Sequence, residues 1–332
     1  MATLKDVAAK ANVDVSTVSR ALNNTSYVHP ETKAKIIAVA KELGYRPNAI
    51  AKALRNGRQK TIGYVVPRTR VALFSEILQG VEEKALELGY SVMICITDDY
   101  PDKEKSCLNH LRDIGVDGII ITPTGNNRRL LRDINASGIS IVQLIRSQDR
   151  IMNSVVADYE YCGYESTNYL YDRGCRVIGL INGPNELEPY AARYRGYKRA
   201  ISELDIDEIT ATSDIVSVNT FSFGYDCAKR LLEENPDIDA IMAAVDIQGL
   251  AAIRAVKDFG KKVPDDVRVM SLTGHAIGKM LETTMTAMEI PAYEMGSTAV
   301  EVLIKNIEAS DNEKPKPRHI TFQTMLEERE ST

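Results

Sequence analysis

Two short helical patterns separated by a tight turn open the chain, and few folds accept that arrangement. Thr3-Leu4-Lys5-Asp6-Val7-Ala8-Ala9-Lys10-Ala11-Asn12-Val13 reads as one helix and a turn, and Asp14-Val15-Ser16-Thr17-Val18-Ser19-Arg20-Ala21-Leu22-Asn23 reads as a second helix. In the second, Val15, Val18 and Leu22 form the face expected to be buried, which leaves Ser16, Thr17, Ser19 and Arg20 pointing outward. Short hydroxyls suit phosphate oxygens, and a long planar guanidinium suits guanine edges in a major groove. A small helix with such a face has little use in an enzyme core. His29-Pro30-Glu31 places proline near the start of a third helix, and Ile36, Ile37, Val39, Ala40 and Leu43 give it a buried stripe before Gly44 stops it. The three helices can then share one small core.

Charge divides the chain in the same place. Residues 1–60 hold eleven Lys and Arg against four Asp and Glu, a balance of +7; the whole chain is −5, so residues 61–332 carry −12. A basic head on an acidic body fits an electrostatic footprint for nucleic acid with a body that repels it. Basic runs also occur on solvated helical surfaces, and the helix-turn-helix spacing decides against that reading here. A chain of 332 residues with 44% apolar content is long enough for this module plus two medium α/β lobes with cores of their own. There is no run of 18 apolar residues, so no membrane span is expected, and Met1-Ala2-Thr3-Leu4-Lys5-Asp6 lacks a secretory signal region, so the expected location is cytoplasmic. Five scattered cysteines without a Cys-x-x-Cys pair read as reduced structural thiols, and four dispersed histidines argue against a metal site. No cofactor is expected.

Leu4-Lys5-Asp6-Val7-Ala8, Ser16-Thr17-Val18-Ser19-Arg20-Ala21-Leu22-Asn23 and Gly44-Tyr45-Arg46-Pro47-Asn48 resemble the DNA-binding headpiece of the LacI/GalR family of bacterial transcription regulators. The resemblance continues at lower density along the rest of the chain. It implies a repressor that binds double-stranded operator DNA in a sequence-specific way, as a homodimer on near-palindromic half-sites, with an affinity set by a small molecule. The headpiece spans 1–46, and a hinge helix and linker span 47–60. Pro47 to Arg55 reads as a helix of about two turns, marginal on its own. In the family such a helix pairs with its dimer mate in the minor groove, and a leucine wedges between base pairs. That role falls on Leu54, with Ala51 and Ala53 leaving room for close approach, against the plainer reading of an interdomain linker. By the same resemblance DNA contact falls on Thr3, Val15, Ser16, Thr17, Ser19, Arg20, Asn23, Tyr45, Asn48, Ala51, Leu54 and Arg55.

The body changes rhythm. Apolar strand-like runs occur at Thr61–Pro67, Val92–Ile96, Gly118–Ile121 and Ile139–Ile145, and a second series at Val177–Ile181, Ile215–Val218, Ala240–Ala244 and Val267–Leu272. Helical segments, such as Phe74 to Leu88, lie between them, which implies parallel sheets built from right-handed βαβ units. The expected fold is a small all-α helix-turn-helix headpiece plus an α/β body of two similar parallel-sheet lobes. The tail, through a helix near Tyr293–Ala309 to His319–Phe322, is expected to recross between the lobes. One lobe takes 61–160 and about 290–320, the other 161–289 and about 321–332. That body resembles the type I periplasmic sugar-binding fold.

Open parallel sheets bind ligands beyond the carboxyl ends of their strands, and two facing lobes put those ends around one cleft. Arg68, Phe74, Thr124 and Arg146 follow strands or open a helix in the first lobe. In the second, Arg193 matches the family's Arg-x-x-Gly-aromatic signature and Asp246 its acid at a helix start, so the resemblance places both on the ligand. A structural cap or salt bridge is the alternative for each, and core packing is the alternative for Phe74. Two departures stand out. The stretch Ser271-Leu272-Thr273-Gly274-His275 has Thr273 where the family commonly has a ligand carboxylate, and Asn219 falls where many relatives have a stacking aromatic. Arg68, Arg70 and Arg146 near one mouth leave two effectors open, a neutral saccharide or a phosphorylated sugar; those arginines can equally pair with Asp98, Asp99 or Asp158. A purine or nucleoside effector, and control by a phosphorylated carrier protein near Tyr293-Glu294, also stay open. The chain has no Gly-x-x-x-x-Gly-Lys-Ser/Thr loop and no Gly-x-Ser-x-Gly elbow, so an enzyme is not expected. A transport receptor shares the body fold but has no use for a basic headpiece.

Overall fold

The computed structural model describes residues 2–23, 26–45, 58–212, 220–310 and 315–332, and the chain divides into two compact units, 1–59 and 60–332. The smaller unit packs α1 (Leu4–Ala11), α2 (Val15–Asn23) and α3 (Pro30–Glu42) around Val7, Ala8, Ala11, Val18, Ala21, Ile36 and Ala40. Four of those seven are alanines, so the helices approach closely. Thr3 and Asp6 form a reciprocal capping box at the start of α1, and Asn12 ends that helix in the left-handed conformation at φ 54°. Hydrogen bonds from the Thr3 backbone and hydroxyl hold the Asp6 carboxyl below its usual range. The buried face of α2 differs from the expected one. Val18 and Ala21 are buried and Leu22 is half-buried, while Val15, in the first turn, is 41% exposed. Ile37 likewise lies outside the core because Ile36 and Ala40 define the inward stripe of α3.

In the larger unit the first sheet holds β1 (Thr61–Val66), β2 (Ser91–Ile96), β3 (Gly118–Ile121), β4 (Ser140–Leu144), β5 (Asn153–Ala157) and β11 (His319–Phe322) in the order β11-β5-β4-β3-β1-β2. All its neighbours run parallel. The second sheet holds β6 (Ile178–Ile181), β7 (Ile209–Ala211), β8 (Ala240–Ala243), β9 (Arg268–Ser271), β10 (Thr286–Glu289) and β12 (Met325–Glu327) in the order β12-β10-β9-β8-β6-β7, with only β12 antiparallel. Alternate residues of one strand serve the two faces of a sheet. Ile62, Tyr64 and Val66 enter the core with α4 (Ala72–Glu87) and α12 (Ala292–Glu308), whereas Val65 enters the opposite core with α5 (Pro101–Ile114) and α6 (Arg128–Ala136).

The second lobe carries α7 (Tyr159–Asp172), α8 (Glu188–Leu204), α9 (Phe221–Glu234), α10 (Asp246–Asp258) and α11 (Ala276–Lys279). The chain enters this lobe at Asp158, returns to the first at Ile290 and Pro291, and leaves again after Phe322. The last crossing lies two residues beyond the expected 320–321 boundary, because Thr321 and Phe322 still pair with Val156 and Ala157. The strand beside β6 is Ile209–Ala211; the expected strand Ile215–Val218 lies outside the described residues. In each lobe one helix pair crosses at backbone contact. A Cβ on Gly163 of α7 would lie 2.1 Å from the Arg193 carbonyl oxygen, and one on Gly196 of α8 would lie 2.0 Å from that of Glu160. Gly80 of α4 and Gly296 of α12 play the same part in the first lobe. Among the described residues no helix is long and apolar enough to cross a membrane.

Candidate functional site

In the headpiece, the outward face of α2 is pre-arranged. The Arg20 guanidinium donates to the Ser16 carbonyl at 3.2 Å, to Ser16 Oγ at 3.4 Å and to Thr17 Oγ1 at 3.2 Å, so the hydroxyls of its own helix hold it. Val15, Ser16 and Arg20 are exposed; Thr17, Ser19 and Asn23 are half-buried, and Asn23 Nδ2 donates to the Ser19 carbonyl at 2.8 Å. Thr3 is committed to the α1 cap, and Tyr45 packs half-buried against the headpiece core. Tyr27, in the segment after α2, is 83% exposed and was not anticipated. Asn48, Ala51, Leu54 and Arg55 lie outside the described residues, as does Asn219.

In the larger unit, two adjoining cavities lie between the lobes at the carboxyl ends of the strands. The smaller, about 40 Å³, is lined by Phe74, Arg146, Tyr159, Tyr190, Arg193 and Thr273 among others. The larger, about 350 Å³, is mainly apolar, with Val71, Leu73, Phe221, Val245, Ile247 and Ile277 around Arg70, Thr220, Asp246, Thr273 and His275. They share Val71, Leu73, Val245 and Thr273. The structure therefore brings together Phe74, Arg146, Arg193, Asp246 and Thr273. Phe74 belongs at the same time to the first lobe's core.

Arg193 is only 2% exposed. The α7–α8 crossing fixes its backbone, its guanidinium lies 4.8 Å from the centre of the Tyr159 ring, and its Nε has no hydrogen-bond partner. Burial pushes the Tyr159 phenol up to about 12 despite the pull of Arg193 and Arg146, so the ring meets the guanidinium as a neutral π face.

Arg68 and Thr124 line neither cavity. Thr124 donates its backbone N–H to Glu104 at 2.6 Å and its hydroxyl to the same carboxylate at 2.9 Å. Arg68 and Arg146 share Asp99, at 3.6 Å and 2.5 Å. One carboxylate thus offsets one of the three positive charges expected at this mouth, and Arg70 remains at the exposed rim.

Asp246 anchors its neighbours. Its carboxylate accepts from Ser271 Oγ at 2.6 Å and from the backbone N–H groups of Gly274 and His275, both at 3.1 Å. Gly274 sits at φ 61°, and a Cβ there would lie 2.7 Å from Glu289 Cα, so the turn that aims both N–H groups at Asp246 requires glycine. Thr273, standing where a carboxylate was expected, accepts the Asp246 backbone N–H at 3.2 Å. The cap and the cavity wall are thus the same residue. A carboxylate accepts about four hydrogen bonds, which leaves Asp246 one direction toward the cavity. His275, not foreseen as a site residue, is 3% exposed and lies 2.9 Å through Nδ1 from Glu76 Oε2 of α4.

A family model for periplasmic binding proteins and the sugar-binding domain of the LacI family matches residues 59–328, and one for bacterial regulatory proteins of the lacI family matches residues 3–48. The chain belongs to the LacI family. It is a DNA-binding transcriptional regulator and not an enzyme. The ribose operon repressor of Halalkalibacterium halodurans is 33% identical over 316 residues, covering 93% of this chain and 91% of the relative. Among solved structures, the regulator CelR in complex with cellobiose has a TM-score of 0.75 at 27% identity over 100% of both chains. The lac repressor dimer bound to operator and the anti-inducer ONPF has a TM-score of 0.88 at 23% identity, covering 100% of this chain and 99% of that one, a likeness of fold.

Asp246→Asn turns one acceptor oxygen into a donor facing N–H or O–H groups. The expected loss in folding stability is about 1–3 kcal/mol, read as a lowered urea midpoint of the larger unit. An unchanged midpoint contradicts the anchoring role.

Proposed function

We propose that this regulator is a homodimeric repressor of carbohydrate uptake or catabolism genes, whose hold on a near-palindromic operator is set by a neutral saccharide bound between the lobes. The observation that carries this reading is Arg193, a buried guanidinium with an unmatched Nε at the edge of a largely apolar cavity. Such a site grips hydroxyl oxygens while apolar side chains cover a sugar face. The sharing of Asp99 by Arg68 and Arg146 favours a neutral ligand over a phosphorylated one. The printed names of two relatives, a ribose operon repressor and a cellobiose complex, agree with that class.

The charge near Tyr293 adds no support of its own to the alternative reading, control by a phosphorylated carrier protein. The Tyr293 hydroxyl donates to Glu83 at 2.8 Å, Glu294 is exposed beside it, and Lys84 is held between Glu87 and Glu301. A dianionic phosphoserine gains nothing from an acidic strip.

The homodimer is supported by β2, an edge strand whose Ile94 and Ile96 are 45% and 46% exposed, with Leu86 and Leu88 exposed just before it. Apolar side chains on a bare edge call for a partner, and a two-fold axis gives each headpiece its half-site. Saccharide binding biases the open and closed arrangements of the lobes, and the segment 47–60, with Leu54 as its wedge, passes that bias to the operator. Val15, Ser16 and Arg20 read the bases.

In a thermal-shift screen with neutral sugars, sugar phosphates and purines, a neutral sugar is expected to raise the melting temperature of the intact chain and to lose that effect in Arg193→Ala. Stabilisation by sugar phosphates alone contradicts the neutral-saccharide reading. The double variant Ile94→Asp with Ile96→Asp is expected to sediment as a monomer; a dimer of unchanged affinity places the interface elsewhere.

A further inference from the structure

Most polar side chains lining the larger cavity are already matched. Thr220 Oγ1 accepts the Phe223 backbone N–H at 3.4 Å as the cap of α9, Thr273 accepts from Asp246, and Asp246 holds the 271–275 turn. Arg70 lies at the exposed rim. His275 differs: its ring is buried, Nδ1 is tied to Glu76, and Nε2 has no partner. A buried ring nitrogen without a partner is costly, and it is kept where something else supplies the bond.

We propose that His275 is a specificity-determining residue of the cleft, whose Nε2 accepts a hydroxyl of the bound saccharide while Nδ1–H donates across the cleft to Glu76. This rests on the reading of the cleft as a saccharide site. Glu76 belongs to the first lobe and His275 to the second, so one ring both reads the ligand and ties the lobes together. Burial raises the Glu76 carboxyl, but its hydrogen bond with His275, together with the Ala276 amide and Lys279, holds it below its usual range. In the proposed tautomer Nδ1–H donates to the Glu76 carboxylate, and Nε2 carries the ring's lone pair. The other charged groups around the ring are in balance. Asp246 accepts the His275 backbone N–H, Lys279 pairs with Glu289 at 2.9 Å, and Arg329 pairs with the same Glu289.

The consequence concerns the ligand's pattern. At the smaller cavity the Nε–H groups of Arg193 and Arg146 and the Tyr159 hydroxyl have no partner, and at the adjoining larger one the unpartnered atom is His275 Nε2, an acceptor in the proposed tautomer. The shared wall between them is formed largely by Val71, Leu73 and Val245. A ligand that satisfies both presents an oxygen lone pair at one end, a hydroxyl proton at the other, and an apolar face between. A free sugar hydroxyl meets that demand at the His275 end; a phosphate dianion, with no proton to give, does not.

The test uses the intact protein and titration calorimetry with D-ribose, D-glucose, cellobiose and glucose 6-phosphate. A neutral sugar that binds the native chain is expected to bind His275→Ala about tenfold more weakly or worse, with His275→Gln in between. Nitrogen-15 spectra of the histidines, with the His275 signals assigned by their absence from His275→Gln, are expected to show a neutral Nδ1–H tautomer whose Nε2 shifts when the sugar saturates the protein. If a sugar binds in an Arg193-dependent way but binds His275→Ala with native affinity, the proposal is overturned and the saccharide reading stands. An Nε2–H tautomer, a charged ring, or an Nε2 signal unmoved by bound sugar overturns it as well. If none of the three neutral sugars binds the native chain, the saccharide reading fails and this proposal falls with it.

Discussion

In the second lobe α7 and α8 approach so closely that only glycine fits at Gly163 and Gly196. That crossing carries Arg193 on its backbone and lays the guanidinium against Tyr159, where its Nε has no hydrogen-bond partner and no carboxylate among the described residues pairs with it. A buried cation without a carboxylate partner persists only where the packing around it is rigid and a ligand can complete its shell. The first lobe repeats the device at Gly80 and Gly296, which locks α12 onto α4 after the chain returns from the second lobe. With each lobe rigid, motion is left to the three crossing points, and a ligand between the lobes acts on their closure.

Charge in the cleft is arranged around two aspartates. Asp99 gathers Arg68 and Arg146, and Asp246 gathers the turn from Ser271 to His275. Each keeps basic or N–H groups oriented while limiting the net field that an incoming ligand meets. Among the described residues, unpartnered buried atoms at the smaller cavity belong to Arg193, Arg146 and Tyr159, and at the larger one to His275. The proposed neutral, hydroxylated ligand rests on that balance rather than on the number of arginines nearby.

Much of this was legible in the sequence. The strand runs Thr61–Val66, Gly118–Ile121 and Ala240–Ala243 are fully apolar or nearly so, as both faces of their sheets are covered. Strands β5 and β10, with sequences Asn-Ser-Val-Val-Ala and Thr-Ala-Met-Glu, lack such a run and were not anticipated. Val15 was placed on the buried face by spacing, yet the first turn of so short a helix lies at the rim of a small core, and its side chain stays exposed. Arg193 and Asp246 were marked by their motifs, but a motif does not say that Asp246 holds a turn or that Asp99 draws two arginines together. The pairing of Glu76 with His275 spans 199 residues and two lobes, and no local pattern announces it.

The central claim is that occupancy of the cleft sets the hold of the headpieces on DNA. The most direct measurement is the fluorescence anisotropy of a labelled palindromic operator from this protein's own upstream region, titrated with the intact chain with and without a sugar that stabilises it, beside a single half-site control. The account predicts tight binding to the palindrome and weak binding to the half-site. It also predicts a change in palindrome affinity on the order of tenfold on adding sugar, absent in Arg193→Ala. Identical affinities with and without a sugar that demonstrably occupies the cleft contradict it.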